Sequence, residues 1–533
     1  MMQNHNVVWL LSYSVGIATV CAAPRELREA EAARWTVHEV VLRTERTYEN
    51  PYVESRLEAE FRSPRGGALR VRGFWDGGNV YRIRFTPIEE GRWTFATHSP
   101  DPSLDGWRGT LRCTPPRGAH GFVRRDTAHP HHWVRDDGSR YFMLGSTYYE
   151  LISNARAGGT WRQAIDNLPS YGINKVRFRL YIKNCNAAVN PAPCVQPWVG
   201  EDRDTLDLAH WRAVDEIIAY MARAGVVADL MPFNSTDRAF GTPEQDLRLL
   251  RYAIARYAAY PNVIWCLTNE YQRTGRTREY LNTLGERLRA EDPWIEHEGR
   301  LRPLSIHPLG GKGNGDLFHF GDQTWPAHVI LQTGRATPGD VSLYAAQIQN
   351  RKFGMPVVND EFGYMGDTLW RDARGSRGPD TNHYAPEKHR HSLWAIYMAG
   401  GYASTGDKNG YSDGRPYHSG AWHNRPEYAD VLALVKLFTA KGLEYWEMTP
   451  APELLASGDR VYVLAQAGRQ YIFYAAAGGA FTVEIGGGNY RAALYNPRDG
   501  SEEPLPAVEG GGARTFAAPA GQDWVVYLRR PFT

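Results

Sequence analysis

The sequence has 533 residues, of which 42% are apolar, and a formal net charge of +2. A chain of this length exceeds one hydrophobic core, so about two to four domains are expected. The apolar content excludes a disordered chain, and the small net charge gives no reason to expect nucleic acid or an anionic membrane as a partner.

Residues 1–22 are predicted to form a signal peptide. The run from Val7 to Val20 is apolar but too short to span a bilayer, and small residues near Ala22 suit cleavage. The segment before this run carries no Lys or Arg, which is unusual for a signal peptide. We expect a secreted or periplasmic protein, and no other segment is apolar enough to span a membrane.

Two regions show the alternation of apolar and polar residues that is typical of antiparallel strands. Residues 30–118 include "ALRVRGFWDGGNVYRIRFTPIEEGRWTFATHS", in which Asp-Gly-Gly and Glu-Gly mark turns. Residues 449–533 include "RVYVLAQAGRQYIFYAAAGGAFTVEI" and "DWVVYLRR", with Gly-rich turns between short strands. Each region is predicted to be a β-sandwich domain.

Residues 119–448 alternate between apolar strands and amphipathic helices. The predicted strands are "RYFMLGS", "INKVRFRLY", "VVADLMPF", "NVIWCL", "RPLSIHP", "HVILQTG", "MPVVND" and "YASTG". The predicted helices are "DLAHWRAVDEIIAYMARAG", "EQDLRLLRYAIARYAAYP", "VSLYAAQIQNRKF" and "EKHRHSLWAIYMAGG". Eight such units over about 300 residues predict a (β/α)₈ TIM barrel between the two sandwiches.

Two of these strands end in carboxylates. "LTNEY" places Asn269 and Glu270 after the fourth strand, and "VVNDEFGY" places Glu361 after the seventh. In a TIM barrel the active site lies at these strand ends, so both carboxylates are expected at one mouth. Glu270 and Glu361 are 91 positions apart, which is about 30 residues for each of the three βα units between them. A barrel of eight βα units and about 250 residues has the same spacing.

Paired carboxylates suit the hydrolysis of glycosidic bonds. One protonates the leaving oxygen, and the other stays ionised beside the developing oxocarbenium ion. A gap of about 5 to 5.5 Å gives retention of configuration, and about 6.5 to 9.5 Å gives inversion. Taken singly, either Glu is as readily a salt-bridge partner or a helix cap.

These residues carry a family resemblance. "LTNEY" and "PVVNDEFGY" resemble the strand-four and strand-seven signatures of clan A glycoside hydrolases, which are retaining enzymes on (β/α)₈ barrels. The whole layout resembles the apiosidase-like hydrolases through "GFWDGG", "GRWTF", "HGFVRRD", "HPHHWVRDDGSRYFMLGSTYYE" and "YNPRDG".

The resemblance implies a role for each motif residue. Glu270 would be the general acid/base, Glu361 the nucleophile, and Asn269 would hold the sugar hydroxyl next to the reacting carbon. Some apiosidase-like members use an Asp as the acid/base, so Asp360 stays an alternative to Glu270. Adjacent strand residues point to opposite faces, so only one of Asp360 and Glu361 faces the mouth without a bulge.

Other polar and aromatic residues follow the predicted strands and are candidates for binding sugar hydroxyls or ring faces. Arg177 and Arg179 share one face of the second strand, from which either can reach Glu361, although a structural ion pair is nearly as expected. The remaining candidates are Tyr149, Glu150, Asn234, His307, Trp325, Gln332 and Tyr364.

Cysteine and histidine positions predict a disulfide but no metal site or cofactor. Cys185 and Cys194 lie in one short polar loop, where a disulfide suits an oxidising compartment. The group "HPHH" has no accompanying ligand spacing, and dinucleotide and phosphate-binding fingerprints are missing from the sequence.

The sequence therefore predicts a secreted glycoside hydrolase that acts on a polysaccharide or glycan side chain by a two-carboxylate, retaining mechanism. Two alternatives stay open. One is a non-catalytic carbohydrate-binding protein that keeps the barrel, and the other is a polysaccharide lyase or transglycosylase that uses the same cleft.

Overall fold

The computed structural model describes residues 25–149, 151–181, 195–234, 239–311, 315–333, 339–365, 369–371, 377–379, 383–407 and 429–531. A barrel occupies the middle of the chain, and a pair of β-sheets lies on each side of it in sequence. The predicted signal peptide at 1–22 lies outside the described residues. The multidomain fold predicted from the sequence is confirmed.

Eight parallel strands form the barrel. They are β1 Leu144–Thr147, β2 Lys175–Arg179, β3 Val227–Met231, β4 Val263–Cys266, β5 Leu304–Ser305, β6 Val329–Leu331, β7 Val357–Asn359 and β8 Tyr402–Asp407. The sheet runs β5-β4-β3-β2-β1-β8-β7-β6. The barrel is nearly closed, because the Ala327 N–H donates to the Leu304 carbonyl at 2.8 Å and the Ser305 hydroxyl donates to the His328 carbonyl at 2.6 Å.

Helices cover the outside of the barrel. They are α1 Leu151–Arg156, α2 Trp161–Asn167, α3 Leu208–Arg223, α4 Pro243–Tyr257, α5 Arg278–Glu291, α6 Asp340–Asn350, α7 Pro386–Met398 and α8 Ala429–Ala440. Local sequence fixes two helix starts: Asp207 accepts from two N–H groups of α3, and Thr242 forms a capping box with Gln245 at α4. Within the described ranges, no helix has the length and apolarity needed to cross a bilayer.

Short elements lie between the main strands and helices of the barrel and at its junctions with the flanking sheets. The one-turn helices are Leu168–Tyr171, Tyr271–Arg273, Arg351–Phe353, Tyr445–Glu447 and Pro452–Leu454. The short strand pairs are Val123–Arg125 with Trp133–Arg135, Phe233–Asn234 with Thr268–Asn269, Glu296–His297 with Arg300–Leu301, and Leu369–Arg371 with Arg377–Pro379. Tyr364–Met365 pairs with His383–Tyr384 and with β8.

The N-terminal region folds as two packed sheets. The larger contains Arg25–Glu26, Ala30–Ala33, Glu58–Arg62, Ala68–Arg72, Gly91–His98 and Trp107–Thr114, and the smaller contains His38–Arg43, Phe74–Trp75 and Val80–Phe85. A single helical turn, Pro51–Glu54, lies between strands. Phe61 of one sheet stacks on Phe85 of the other with ring centroids 3.8 Å apart, so the aromatic side chains form the core of a sandwich.

The C-terminal region is also built from two sheets. One contains Thr449–Pro450, Val461–Gln466, Gln470–Ala475, Asn489–Tyr495, Glu502–Glu509 and Trp524–Arg529, and the other contains Leu455–Ser457, Gly479–Ile485 and Gly512–Ala518. Phe473, Phe481 and Phe516 pack together between them. On the barrel side, Asp340 of α6 accepts hydrogen bonds from Arg460 and Tyr462, which joins this region to the helices.

Buried ion pairs join the N-terminal sheets to the barrel. Arg84 makes two hydrogen bonds to Asp215 of α3, at 2.8 and 3.0 Å. Arg256 of α4 bonds both Asp215 and Asp76, and the Arg84 guanidinium also donates to the Arg256 carbonyl. Burial opposes the charge on Asp215, but the two guanidiniums lower its pKa below the ordinary value. One continuous apolar core extends across this boundary.

Inside the barrel, a buried cation holds two carboxylates. Lys175 of β2 lies 2.9 Å from Asp229 of β3 and 2.6 Å from Asp360, which directly follows β7. Burial opposes the charge on Lys175, but the two carboxylates raise its pKa above the ordinary value. Burial raises the pKa of Asp229, whereas Lys175 and Arg177 outweigh burial at Asp360 and lower its pKa.

We expect Lys175→Met to destabilise the protein by about 3–5 kcal/mol, because it leaves two buried carboxylates without their cation. Urea denaturation followed by tryptophan fluorescence measures the shift in midpoint. Arg62→Met is the control, since Arg62 pairs with Glu60 on the surface with 64% of its side chain exposed. Equal and small shifts in both variants would contradict the role given to Lys175.

Candidate active site

Glu270 and Glu361 lie at the carboxyl ends of β4 and β7. Glu270 is 5% exposed and Glu361 is 7% exposed, so both side chains are almost buried. Glu270 adopts a left-handed backbone conformation with φ 41° and ψ 57°. A non-glycine residue is uncommon there, and such positions concentrate at functional sites.

One tyrosine connects the two strand ends. The Tyr149 hydroxyl lies 3.1 Å from Asn269 Oδ1 and 3.3 Å from Glu361 Oε2, and its proton serves one acceptor at a time. Arg177 Nη2 donates to the Tyr149 oxygen at 2.9 Å and lies 3.5 Å from Glu361 Oε2. The structure thus brings together four of the residues singled out in the sequence: Tyr149, Arg177, Asn269 and Glu361.

The buried guanidinium of Arg177 is the main cation beside Glu361. Burial opposes its charge, but the acidic groups around it raise its pKa well above the ordinary value. A guanidinium and a tyrosine hydroxyl beside one carboxylate oxygen fix the orientation of Glu361.

Asp360 turns the other way. Its Oδ1 accepts from Lys175 at 2.6 Å and from the Ser404 hydroxyl at 2.5 Å, inside the barrel and below the mouth. Since neighbouring residues alternate in direction, Asp360 and Glu361 point to different environments. The Glu361 side chain faces the mouth, whereas the Asp360 side chain is held inside the barrel by Lys175 and Ser404. This geometry favours Glu270 over Asp360 as the proton donor.

His307 and Gln332 complete the floor of the site. His307 Nε2 lies 3.9 Å from Glu361 Oε2, and neither ring nitrogen has a hydrogen-bond partner among the described residues. Burial, followed by the charge of Arg177, lowers the pKa of His307 well below its ordinary value, so the ring is neutral. Gln332 Nε2 donates to Glu270 Oε1 at 3.4 Å. A neutral imidazole with open nitrogens suits a sugar hydroxyl.

Two further predicted residues lie beside this group. The Arg179 guanidinium stacks over the Tyr149 ring at 4.6 Å from its centroid, and this cation–π contact helps to hold the ring in place. Asn234 is buried and pairs in parallel register with Asn269, so its strand end reaches the same mouth.

Trp325 lies elsewhere. It is 1% exposed, its indole packs directly on Gly285 of α5, and its N–H donates to Asn282 at 2.6 Å. The predicted sugar contact of Trp325 is therefore wrong, because this side chain packs the loop before β6 against an outer helix.

Some predictions fall where the structure gives no description. Glu150 and the predicted disulfide of Cys185 and Cys194 lie outside the described residues. Tyr364 has a described backbone in the strand Tyr364–Met365, but nothing follows for its side chain.

The sequence analysis missed three residues that shape the site. Lys175 pairs with Asp229 and also holds Asp360, and Arg273 lies 2.8 Å from Glu270 Oε2. A signal for the first two was available, because a Lys two positions before Arg177 and an Asp within "VVADLM" are charges on strands that otherwise read as buried. The contact of Arg273 with Glu270 becomes visible only from the geometry of the turn after Glu270.

The arrangement can move a proton and stabilise a positive centre at one place. Glu361 is contacted by the buried donors Tyr149 and Arg177, while Glu270 has a neutral amide and a half-exposed cation as partners. Among the described residues, no group of three His, Cys, Asp or Glu side chains is placed to hold a metal ion. The chemistry available from these residues is therefore acid–base and nucleophilic.

Comparisons with protein families match three parts of the chain. Residues 128–410, more than half of the chain, match the family described as "Apiosidase-like, catalytic domain". Residues 31–100 match "Domain of unknown function (DUF5060)", and residues 450–529 match "Putative collagen-binding domain of a collagenase". No curated protein matches the chain.

Solved structures share the fold. A "putative glycoside hydrolase" from Bacteroides vulgatus ATCC 8482 matches at TM-score 0.77 and 21% identity, over 94% of this chain and 100% of the other. A glycoside hydrolase family 5 protein from the same organism matches at TM-score 0.61 and 17% identity, over 77% and 94%. At these identities the similarity establishes the three-part architecture.

We expect the His307 ring to stay neutral between pH 5 and pH 8, because burial and Arg177 oppose its protonation. NMR of the protein with ¹⁵N-labelled histidine reports the protonation state, and His307→Asn identifies the signal by its loss. A His307 signal that titrates near the ordinary value of about 6.5 would contradict the buried, cation-flanked environment.

Proposed function

The chain belongs to the apiosidase-like family and is a glycoside hydrolase, and from this premise we propose that it is exported and cleaves a polysaccharide or glycan side chain with retention of configuration. The family membership confirms the resemblance found in the sequence. Export is supported by the apolar segment from Val7 to Val20.

The observation that carries the proposal is the joining of two strand ends by Tyr149. Its hydroxyl reaches Asn269, next to Glu270, and also reaches Glu361. Two carboxylates from β4 and β7 therefore face one mouth, where a glycosidic bond lies between them.

Each carboxylate has a distinct task in the proposed reaction. In the first step, a Glu361 oxygen bonds to the anomeric carbon, the glycosidic C–O bond breaks, and the leaving oxygen takes the proton of Glu270. In the second step, water bonds to the anomeric carbon and gives its proton to Glu270, while the bond to Glu361 breaks. The enzyme returns to its starting state.

Fixed donors support Glu361 as the nucleophile. Arg177 and Tyr149 hold its carboxylate in one orientation, which a nucleophile needs before substrate arrives. The retaining course is further supported by the strand-four and strand-seven signatures shared with clan A hydrolases.

Neutral hydrogen-bonding groups favour an uncharged sugar ring at the reacting position. Asn269, Gln332 and the neutral His307 surround the two carboxylates. The description of the family names an apiosidase, so a terminal apiose is the first sugar to test.

A screen of aryl furanosides and pyranosides, apiosides included, tests the function. We expect at least one glycoside to be hydrolysed, and ¹H NMR of the first product to show the anomer of the substrate. The opposite anomer would overturn retention. Binding without hydrolysis would favour a carbohydrate-binding protein, and an unsaturated product absorbing in the ultraviolet would favour a lyase.

We expect Glu361→Gln to lower kcat/KM by about 10³-fold or more and Glu270→Gln to lower it by about 10²–10⁴-fold, because each removes one reacting group. Steady-state kinetics on the best aryl glycoside measures both losses, and circular dichroism checks the fold.

Glu387→Gln is the matched control, since Glu387 lies on α7 with 71% of its side chain exposed. Near-wild-type activity in either catalytic variant would contradict the assignment. Azide added to Glu361→Ala separates the roles further, because a small nucleophile that replaces Glu361 yields a glycosyl azide.

A further inference from the structure

Arg273 makes an ion pair with the proposed acid/base. Its Nη1 lies 2.8 Å from Glu270 Oε2, and its backbone N–H donates to the Glu270 carbonyl at 2.8 Å. Glu270, in its left-handed conformation, directly precedes the one-turn helix Tyr271–Arg273. This turn brings the Arg273 side chain back to the Glu270 carboxylate. The Glu270 side chain is 6% exposed and the Arg273 side chain is 43% exposed.

The next two arginines along the chain have different partners. Arg276 donates to the Gly241 carbonyl and lies 3.8 Å from Asp246, and Arg278 pairs with Asp322. Arg273 is therefore the arginine of this loop that contacts the proposed active site.

The described groups near Glu270 and across the mouth from it differ in charge. Gln332 on the β6 side is neutral, and the ring of His307 after β5 is neutral as well. Across the mouth, Glu361 carries the second negative charge, and Arg177 lies on Glu361. Among the ion pairs of the described residues, Arg273 supplies the cation on Glu270.

The two half-reactions need opposite forms of Glu270. Formation of the glycosyl-enzyme needs a protonated Glu270, which gives its proton to the leaving oxygen. Hydrolysis of that intermediate needs an ionised Glu270, which takes a proton from water. A cation at 2.8 Å stabilises the ionised form and so opposes the first step while favouring the second.

We propose that Arg273 is a positioning residue that holds Glu270 in its ionised form between turnovers and during hydrolysis of the glycosyl-enzyme, and that moves into solvent when Glu270 carries its proton. This inference rests on the proposed role of Glu270 as acid/base. The exposure of Arg273 makes the movement easy, since a half-exposed guanidinium gains hydration when it leaves the carboxylate.

The variant Arg273→Met tests the proposal through two opposite effects. Without the cation, Glu270 keeps its proton to higher pH, so the alkaline limb of the kcat/KM profile moves upward by about half a pH unit. For a 2,4-dinitrophenyl glycoside, whose leaving group needs no acid, hydrolysis of the intermediate limits turnover. We expect kcat for that substrate to fall by about two- to five-fold.

Two variants serve as controls. Arg273→Lys keeps the charge and is expected to keep both the limb and the turnover close to wild type. Arg278→Met removes an equally exposed arginine, 44% exposed and paired with Asp322, five positions along the chain at the start of α5, and is expected to change neither. Thermal melting of all variants checks that the loop change leaves the fold intact.

An unmoved alkaline limb together with an unchanged kcat for the dinitrophenyl glycoside would overturn the proposal and leave Arg273 as a brace of the turn. The same shifts in Arg278→Met would overturn it too, because they would come from the net charge of the loop. Full activity of Glu270→Gln is a different result, which removes the acid/base assignment itself.

Discussion

The buried ammonium of Lys175 is the constraint around which the barrel interior is arranged. It joins β2 to β3 through Asp229 and to the end of β7 through Asp360. Buried ionisable groups are tolerated only when they are paired, so the positions of these strand ends are tightly specified. Because Asp360 is held inward, the next residue, Glu361, faces outward to the mouth. The direction of the proposed nucleophile is thus set by a contact that never meets the substrate.

The two mouth carboxylates differ in the kind of partner each has. Glu361 is contacted by two buried donors, Arg177 of β2 and Tyr149 in the loop after β1, which cannot leave without opening the core. Glu270 is contacted by an amide and by a cation with access to water. Buried donors suit a group with one charge state, whereas a solvent-accessible cation suits a group that changes charge. The backbone of Glu270, with its positive φ, brings the Arg273 guanidinium into reach.

The sequence predicts all eight barrel strands and the family, because buried parallel strands leave continuous apolar segments that end abruptly in polar residues. It fails for α5, whose inner face is built from a few leucines among many charges. It also fails for Trp325, since an aromatic residue in a loop after a strand reads the same whether it faces a sugar or Gly285. Arg273 stayed unrecognised because the left-handed turn at Glu270 has no glycine to announce it. Features with a local, periodic pattern, such as the barrel strands, can be predicted from the sequence. Contacts between residues far apart in the sequence, such as that of Trp325 with Gly285, cannot.

The seam between the N-terminal sheets and the barrel affects how this protein can be divided. Arg256 lies against Phe74 of the smaller sheet and reaches Asp76, while Arg84 crosses in the other direction to Asp215. A barrel expressed alone would retain the pair of Asp215 and Arg256. It would lose Arg84 and Asp76, which bind this pair from the N-terminal sheets, and the apolar surface that shields it. We therefore expect the first two regions to fold as one unit, because replacing the N-terminal sheets would require rebuilding the flank of the barrel that carries Asp215 and Arg256.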